Sequence, residues 1–237
     1  MSKYLIVNAD DFGYAQGVNQ GIIAAHEAGV VLSTSLMVDM PSAGEATTLA
    51  KAHPNLGVGL HFTVTDQQGP LVDVSDLAAI EQELCRQYLR CCDLLGHPPT
   101  HIDSHHHVHL RKELKPFFTE WAEERELHLR AAGGAHYQGG FYGQWYDEEW
   151  NPHVAPEFIS IENLEKLLRG LPEGVTELAC HPGYMTPDLD SSYAREREIE
   201  LATLVNPRLP ELLNELGIVV INFTALPSIM ERSHAAA

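Results

Sequence analysis

The chain has 237 residues, enough for one substantial core, with 15 Lys and Arg against 33 Asp and Glu and a formal net charge of -18. That acidity argues against nucleic acid or an anionic membrane as partner, and no apolar run approaches the roughly 20 residues that span a bilayer. The four cysteines (Cys85, Cys91, Cys92, Cys180) form no C-x-x-C pair, Cys85 and Cys92 read as core rather than as a bridge, and a strand pattern starts directly after Lys3, so a cytoplasmic protein is expected.

Tyr4-Leu5-Ile6-Val7-Asn8 is a near-continuous apolar run of the kind found in buried parallel strands, and it ends in Asp10-Asp11-Phe12-Gly13. Helical spacing follows over Asn19–Glu27, with Gly29 as its stop, then a β-branched strand over Val30–Val38. Ala43–Ala52 reads as a helix stopped ahead of Pro54, and Gly57–Phe62 as a third strand carrying His61 near its end. A loop is expected over Gln67–Ser75, a long helix over Leu77–Leu95 and a fourth strand over Thr100–Ser104. That strand runs into His105-His106-His107-Val108-His109. An amphipathic helix over Glu113–Glu126 precedes a short strand, Leu127–Arg130. Ala132–Pro156 is irregular and rich in Gly and aromatics. Then come a helix over Ile161–Arg169, a strand over Glu177–His181, helices over Ala194–Leu204 and Leu209–Leu216, and a last strand over Ile218–Phe223.

Roughly seven strands alternating with helices imply parallel pairing and right-handed crossovers. The expected fold is α/β, a distorted and incomplete (β/α) barrel, with a doubly wound open sheet as the alternative. One domain over residues 1–232 with a frayed tail over 233–237 is the simplest organisation.

Polar residues recur at the C-terminal strand ends: Asp10 and Asp11, His61, Asp103 and His105, Arg130, His181. In barrels of parallel strands that is the face that carries active sites. A lone buried histidine is more often a satisfied core residue, but five such positions on one face are hard to dismiss. Two histidines and a carboxylate suit Zn²⁺, Fe²⁺ or another divalent ion with positions left open. Residues alternate along a strand, so Asp103, His105, His107 and His109 share a face while the strand lasts. His105 is the first choice of ligand and His107 the second. Asp10 and Asp11 reach one site only if the strand breaks there, and then one can ligate while the other takes a proton. His181, on a sharp Pro-Gly exit, suits a general acid. Arg130 could hold Asp10 ionised and oriented. In the aromatic stretch 137–150, Trp145 is a candidate platform for a sugar ring.

Asn8-Ala9-Asp10-Asp11-Phe12-Gly13, Gly59-Leu60-His61-Phe62, Thr100–His109 and Cys180-His181-Pro182-Gly183-Tyr184 resemble the signature blocks of the YdjC-like carbohydrate deacetylases, in order and over nearly the whole chain. The resemblance implies a barrel related to polysaccharide deacetylases, one divalent metal, often Mg²⁺, and hydrolysis of an N-acetyl group from an amino sugar. It places the metal on Asp11, His61 and His105, the general base on Asp10 and the general acid on His181. The segment 65–77 and the loop Phe141–Trp150 depart from the family pattern, and both would shape the substrate pocket. The expected partner is a small N-acetylated sugar, with a homodimer left open. The rival readings are a metal-dependent phosphoesterase on a similar barrel and a non-catalytic carbohydrate- or metal-binding protein.

Overall fold

The computed structural model describes residues 2–66, 69–149 and 151–235. In chain order they form β1 (Lys3–Phe12), α1 (Gln16–Glu27), β2 (Ser33–Leu36), α2 (Ala43–Ala52), β3 (Gly57–Phe62), a small hairpin of β4 (Thr65–Asp66) and β5 (Gly69–Pro70), and α3 (Leu77–Leu95). Next are β6 (His101–Ser104), a 3₁₀ segment His105–Leu110, α4 (Lys115–Glu123), β7 (His128–Leu129), β8 (His136–Gln138), and a second hairpin of β9 (Gln144–Tyr146) and β10 (Pro152–Val154). A 3₁₀ turn, Pro156–Ile159, leads to α5 (Ile161–Arg169), β11 (Gly174–Cys180), α6 (Ala194–Leu204), α7 (Arg208–Glu215), β12 (Ile218–Ile221), a 3₁₀ turn Phe223–Ala225 and α8 (Leu226–Ala235).

Eight strands join one sheet in the order β7-β6-β3-β2-β1-β11-β8, with β12 also on β1, and every pairing among them is parallel. The sheet curls into a half-barrel with helices outside. The expected strand count was about seven; the addition is β8, which emerges from the stretch read as irregular and pairs with β11 through His136–Gln138. One edge of β1 is shared: β12 pairs with Lys3–Ile6 and β2 takes over from Asn8. The strand expected over Val30–Val38 shortens to Ser33–Leu36.

Strand alternation divides the interior in two. Leu5, Val7, Ala9, Leu60, Phe62, Ile102, Leu178 and Cys180 belong to the large core that also holds the outer helices. The opposite face of the sheet starts apolar, with Ile6, Val175 and Ile221 packed against Phe223, Leu226 and Ile229, so the turn after β12 and helix α8 fill that end of the half-barrel. Further along β1 and β11, and on β3 and β6, this inner face is polar, through Asn8 and Asp10, Glu177, His61, His101 and Asp103, all buried. Burying so many polar groups is tolerable only if they satisfy one another.

Helix α3 has the expected bounds. The Asp76 side chain accepts from the N–H groups of Ala78 and Ala79, and Gly96 at φ 84° closes its C-terminal end in the left-handed region. All four cysteines are unpaired; within α3 it is Cys91 that faces the core, while Cys85 and Cys92 are only half-buried. No helix among the described residues is long and apolar enough to cross a membrane. Residues 233–235, read as part of a frayed tail, end α8, whereas Ala236 and Ala237 lie outside the described residues. So do Gln67 and Gln68 of the expected loop and Trp150 of the aromatic stretch.

Candidate active site

The two aspartates reach one site by way of a bulge. Ala9 pairs with Thr34 and Phe12 with Leu36, so Asp10 and Asp11 together oppose the single residue Ser35. Asp11 takes φ 69°, a left-handed conformation that Asp adopts more readily than most residues. The strand continues to Phe12 but slips there, and both carboxylates turn towards the same end of the half-barrel.

Asp11 Oδ2 accepts from Arg197 Nη2 at 2.5 Å. Its other oxygen, Oδ1, lies 3.2 Å from His61 Nε2 and 3.2 Å from His105 Nδ1, is fully buried, and makes no hydrogen bond. His61 Nδ1 is 2.6 Å from Asp103 Oδ1, which fixes the ring and directs Nε2 at Asp11. Three ligand-type atoms therefore face one another, all within 4.8 Å. Donors about 2.0–2.1 Å from a shared ion stand roughly 3.0–3.4 Å apart, and the two spacings from Asp11 Oδ1 to the imidazoles fit that. The orphaned Asp11 Oδ1 and this donor set make it a candidate metal site.

A second Asp/His group, Asp10, His61 and Asp103, has its carboxylates taken by Arg130. The Arg130 guanidinium, fully buried, donates from Nη1 to Asp10 Oδ2 at 2.6 Å, from Nη2 to Asp10 Oδ1 at 2.7 Å and from Nε to Glu177 Oε1 at 2.5 Å. Nη2 is also 2.7 Å from Asp103 Oδ2. Asn8 Nδ2 donates to Asp10 Oδ1 at 2.9 Å and to Asp103 Oδ2 at 3.2 Å. Burial works against the charge on Asp10, but Arg130 outweighs it and holds the carboxyl below its ordinary range. Glu177 has no such balance: burial dominates, Arg130 offsets it only in part, and its pKa is pushed up to about 7.

His181 follows β11 and places Nε2 3.8 Å from Asp10 Oδ2, with 20% of its side chain accessible. Glu200, fully buried on α6, accepts from the His181 backbone N–H at 2.5 Å and from the Tyr193 hydroxyl at 2.6 Å, and stands 3.8 Å from His181 Nδ1. Burial disfavours the imidazolium, but Glu200, then Asp10 and Asp11, override it and raise the pKa.

The histidine run behaves differently from a strand. β6 stops at Ser104, and His106 and His107 have φ 53° and 51°, so the expected alternation of His105, His107 and His109 fails. The three consecutive rings go to three neighbours: His105 to Asp11, His106 Nδ1 to Thr65 Oγ1 at 3.0 Å, His107 Nε2 to the Tyr137 hydroxyl at 3.3 Å. His109 is buried and bonded to Ser104 Oγ at 2.6 Å.

The structure thus brings together Asp10, Asp11, His61, His105, Arg130 and His181. Trp145 stands apart from them: its ring stacks on His153 of the neighbouring strand at 4.3 Å, and 49% of the residue is exposed. The sequence reading missed Arg197 and Glu200, both on α6, and Glu177 on β11. It also missed Tyr142, whose ring stacks on Tyr193 at 4.5 Å and meets His181 edge-on at 5.4 Å.

Residues 4–215 match the family model described as YdjC-like protein. The chain belongs to that family. Among its curated relatives, a carbohydrate deacetylase of Geobacillus stearothermophilus is 38% identical over 94% of this chain and 98% of the relative. A chitooligosaccharide deacetylase of Serratia marcescens is 34% identical over 95% of this chain and 100% of the relative. Among solved structures, an Enterococcus faecalis V583 protein named for cellobiose-phosphate cleavage superposes with a TM-score of 0.79 at 29% identity, over 95% of this chain and 99% of that one. A family 4 carbohydrate esterase from Streptomyces lividans, in complex with acetate, shares the fold at a TM-score of 0.55 and 14% identity, over 92% and 91% of the two chains. The chain therefore has the half-barrel fold of that carbohydrate esterase, in line with the barrel that the family resemblance implies.

Proposed function

We propose that this YdjC-like chain is a metal-dependent carbohydrate deacetylase that hydrolyses an N-acetyl group of an amino sugar or short N-acetylglucosamine oligosaccharide to acetate and a free amine. The observation that carries the reading is the convergence of Asp11 Oδ1, His61 Nε2 and His105 Nδ1 beside the pair Asp10 and His181. The names of the curated relatives support the reaction class. Asp11, His61 and His105 would hold the ion: Mg²⁺ follows from the resemblance, and two imidazoles suit a transition ion equally well. Bound there, the ion supplies Lewis acidity and lowers the pKa of water. Asp10, ionised and gripped by the Arg130 fork, accepts the proton of the attacking water. His181 gives its proton to the departing amine nitrogen. Because the Arg130 fork occupies the second Asp/His group, one ion per chain is expected. Trp145 on its exposed hairpin is proposed to meet outer sugar rings of a longer substrate.

The direct test is acetate release from N-acetylglucosamine, its oligomers and their 6-phosphates with added Mg²⁺, Zn²⁺, Mn²⁺ or Co²⁺. No acetate from any of them would reject the reading.

Ion binding should be linked to protons. In the ion-free protein burial opposes the charge on His61, but Asp103, with further help from Asp11 and Asp10, raises its pKa to about 10. A protonated imidazole cannot ligate, so affinity for the ion should rise with pH up to that value. Near pH 7 binding should release about one proton per ion. Calorimetry in buffers of different ionisation heat measures this, and equal heats in all buffers would contradict it. His61→Ala should abolish both the ion and the release.

A second pH effect concerns His181. Its raised pKa keeps the acid form present at higher pH than an ordinary histidine, so the alkaline limb of kcat/KM should lie above the usual histidine range. Glu200→Gln removes the main charge that raises it, and the limb should move to lower pH. An unmoved limb in that variant would assign the titration elsewhere.

A further inference from the structure

The deacetylase reading uses one of the clustered histidines and leaves His107 without a task. His101 and His109 are buried and have internal partners: His101 stacks on Phe223 at 3.9 Å, and His109 bonds to Ser104. His107 is exposed, yet it lies close enough to Arg130, Asp10, His181 and Asp103 to interact electrostatically with each. Through Tyr137, whose ring covers the Arg130 guanidinium, it is tied to the Asp10–Arg130 cluster.

Its delivery there is costly. Two successive residues without glycine hold φ 53° and 51° at His106 and His107. Such conformations persist where the surroundings enforce them, and they concentrate at functional positions. Tyr137 meets the His107 ring that this backbone presents. Its ring lies over the Arg130 guanidinium at 5.6 Å, its edge meets the His107 ring at 5.7 Å, and its hydroxyl reaches His107 Nε2. With the phenol donating to Nε2, the proton of the ring sits on Nδ1, which has no protein partner among the described residues.

We propose that His107 is a specificity residue of the site: its Nδ1–H donates to a hydroxyl of the amino sugar, on the carbon next to the one bearing the acetamido group, with Tyr137 holding the ring in place. This rests on the deacetylase reading. The assignment places the acetamide between Asp10 and His181 with its neighbouring hydroxyl towards His107, which is tied through Tyr137 to the Arg130 guanidinium that grips Asp10. A hydroxyl is the matching group, because the carboxylate of Asp10 beside it disfavours an anionic substituent.

The test is steady-state acetate release by the metal-loaded enzyme, with bound metal counted for each variant. His107→Ala should raise KM about tenfold, the scale of one hydrogen bond between uncharged groups, with kcat within about twofold and metal content unchanged. Tyr137→Phe should raise KM by a smaller factor. The wild type should discriminate against the substrate lacking that hydroxyl by a similar factor, and His107→Ala should treat the two substrates alike. Loss of metal in His107→Ala, an unchanged KM, or retained discrimination would each overturn the assignment. A wild type that releases no acetate from any N-acetylated sugar would instead overturn the deacetylase reading.

Discussion

Arg130→Met should lose about 3–5 kcal/mol of folding stability, the usual consequence of removing one partner from a buried charge cluster. Asp10, Asp103 and Glu177 all direct an oxygen at this one guanidinium, and all are buried. Without it, the cationic groups left beside them are imidazoles: His61 on Asp103 and, at 3.8 Å, His181 on Asp10. Denaturant unfolding of the metal-free protein measures the loss. A change below about 1 kcal/mol would mean that the three carboxyls are already largely protonated, or that water reaches them. Arg130→Lys separates charge from geometry. An ammonium keeps a positive charge but cannot grip both oxygens of Asp10 while reaching Glu177. It should recover part of the stability and little of the orientation of Asp10, so activity should stay low in a protein that folds.

Asp10→Asn should lower kcat by roughly a hundred- to ten-thousand-fold, the range of general acid–base catalysis, with metal content unchanged. The amide keeps the shape of the carboxylate and one acceptor for Arg130, so the neighbouring Asp11, His61 and His105 should stay in place. Metal counted beside acetate release decides the role. Retained metal with lost turnover assigns proton transfer to Asp10; undiminished turnover would remove Asp10 from the reaction. Asp11→Asn should do the opposite, losing the ion first. Asp11 Oδ1 is the atom between the two imidazoles, and an amide has no charge to offer there.

Much of this arrangement is legible in the sequence because parallel strands with helical crossovers bring distant strand ends to one face. Asp10, Asp11, His61, His105, Arg130 and His181 each close an apolar run or follow it directly. The residues that escaped notice lie elsewhere in their elements. Arg197 and Glu200 sit inside the helix Ala194–Leu204, away from the strand ends where site residues were sought. Spacing could have corrected this: positions 197, 200, 201 and 204 follow helical periodicity, and Leu201 and Leu204 face the core. Glu177 shares a strand face with His181, so inner-face placement of one implies the other. The pattern of His105–His109 was misread for a conformational reason. Alternation holds only in extended backbone, and nothing in a run of histidines announces two successive left-handed residues.

The shared edge of β1 also constrains how the chain is made. Lys3–Ile6 pairs with Ile218–Ile221 and Lys3–Ala9 with Gly174–Cys180, so β1 leaves the ribosome well before two of its three partners. Contacts between such distant segments form slowly, because most of the chain must be ordered into a loop before they are gained. Until residue 218 is available, one stretch of β1 keeps an unpaired edge next to apolar Leu5 and Ile6, the kind of surface that aggregates during synthesis. Overexpression yield should therefore respond to growth temperature and chaperone supply, and a chain cut after α7 should accumulate as insoluble protein even though every proposed site residue is still present in it.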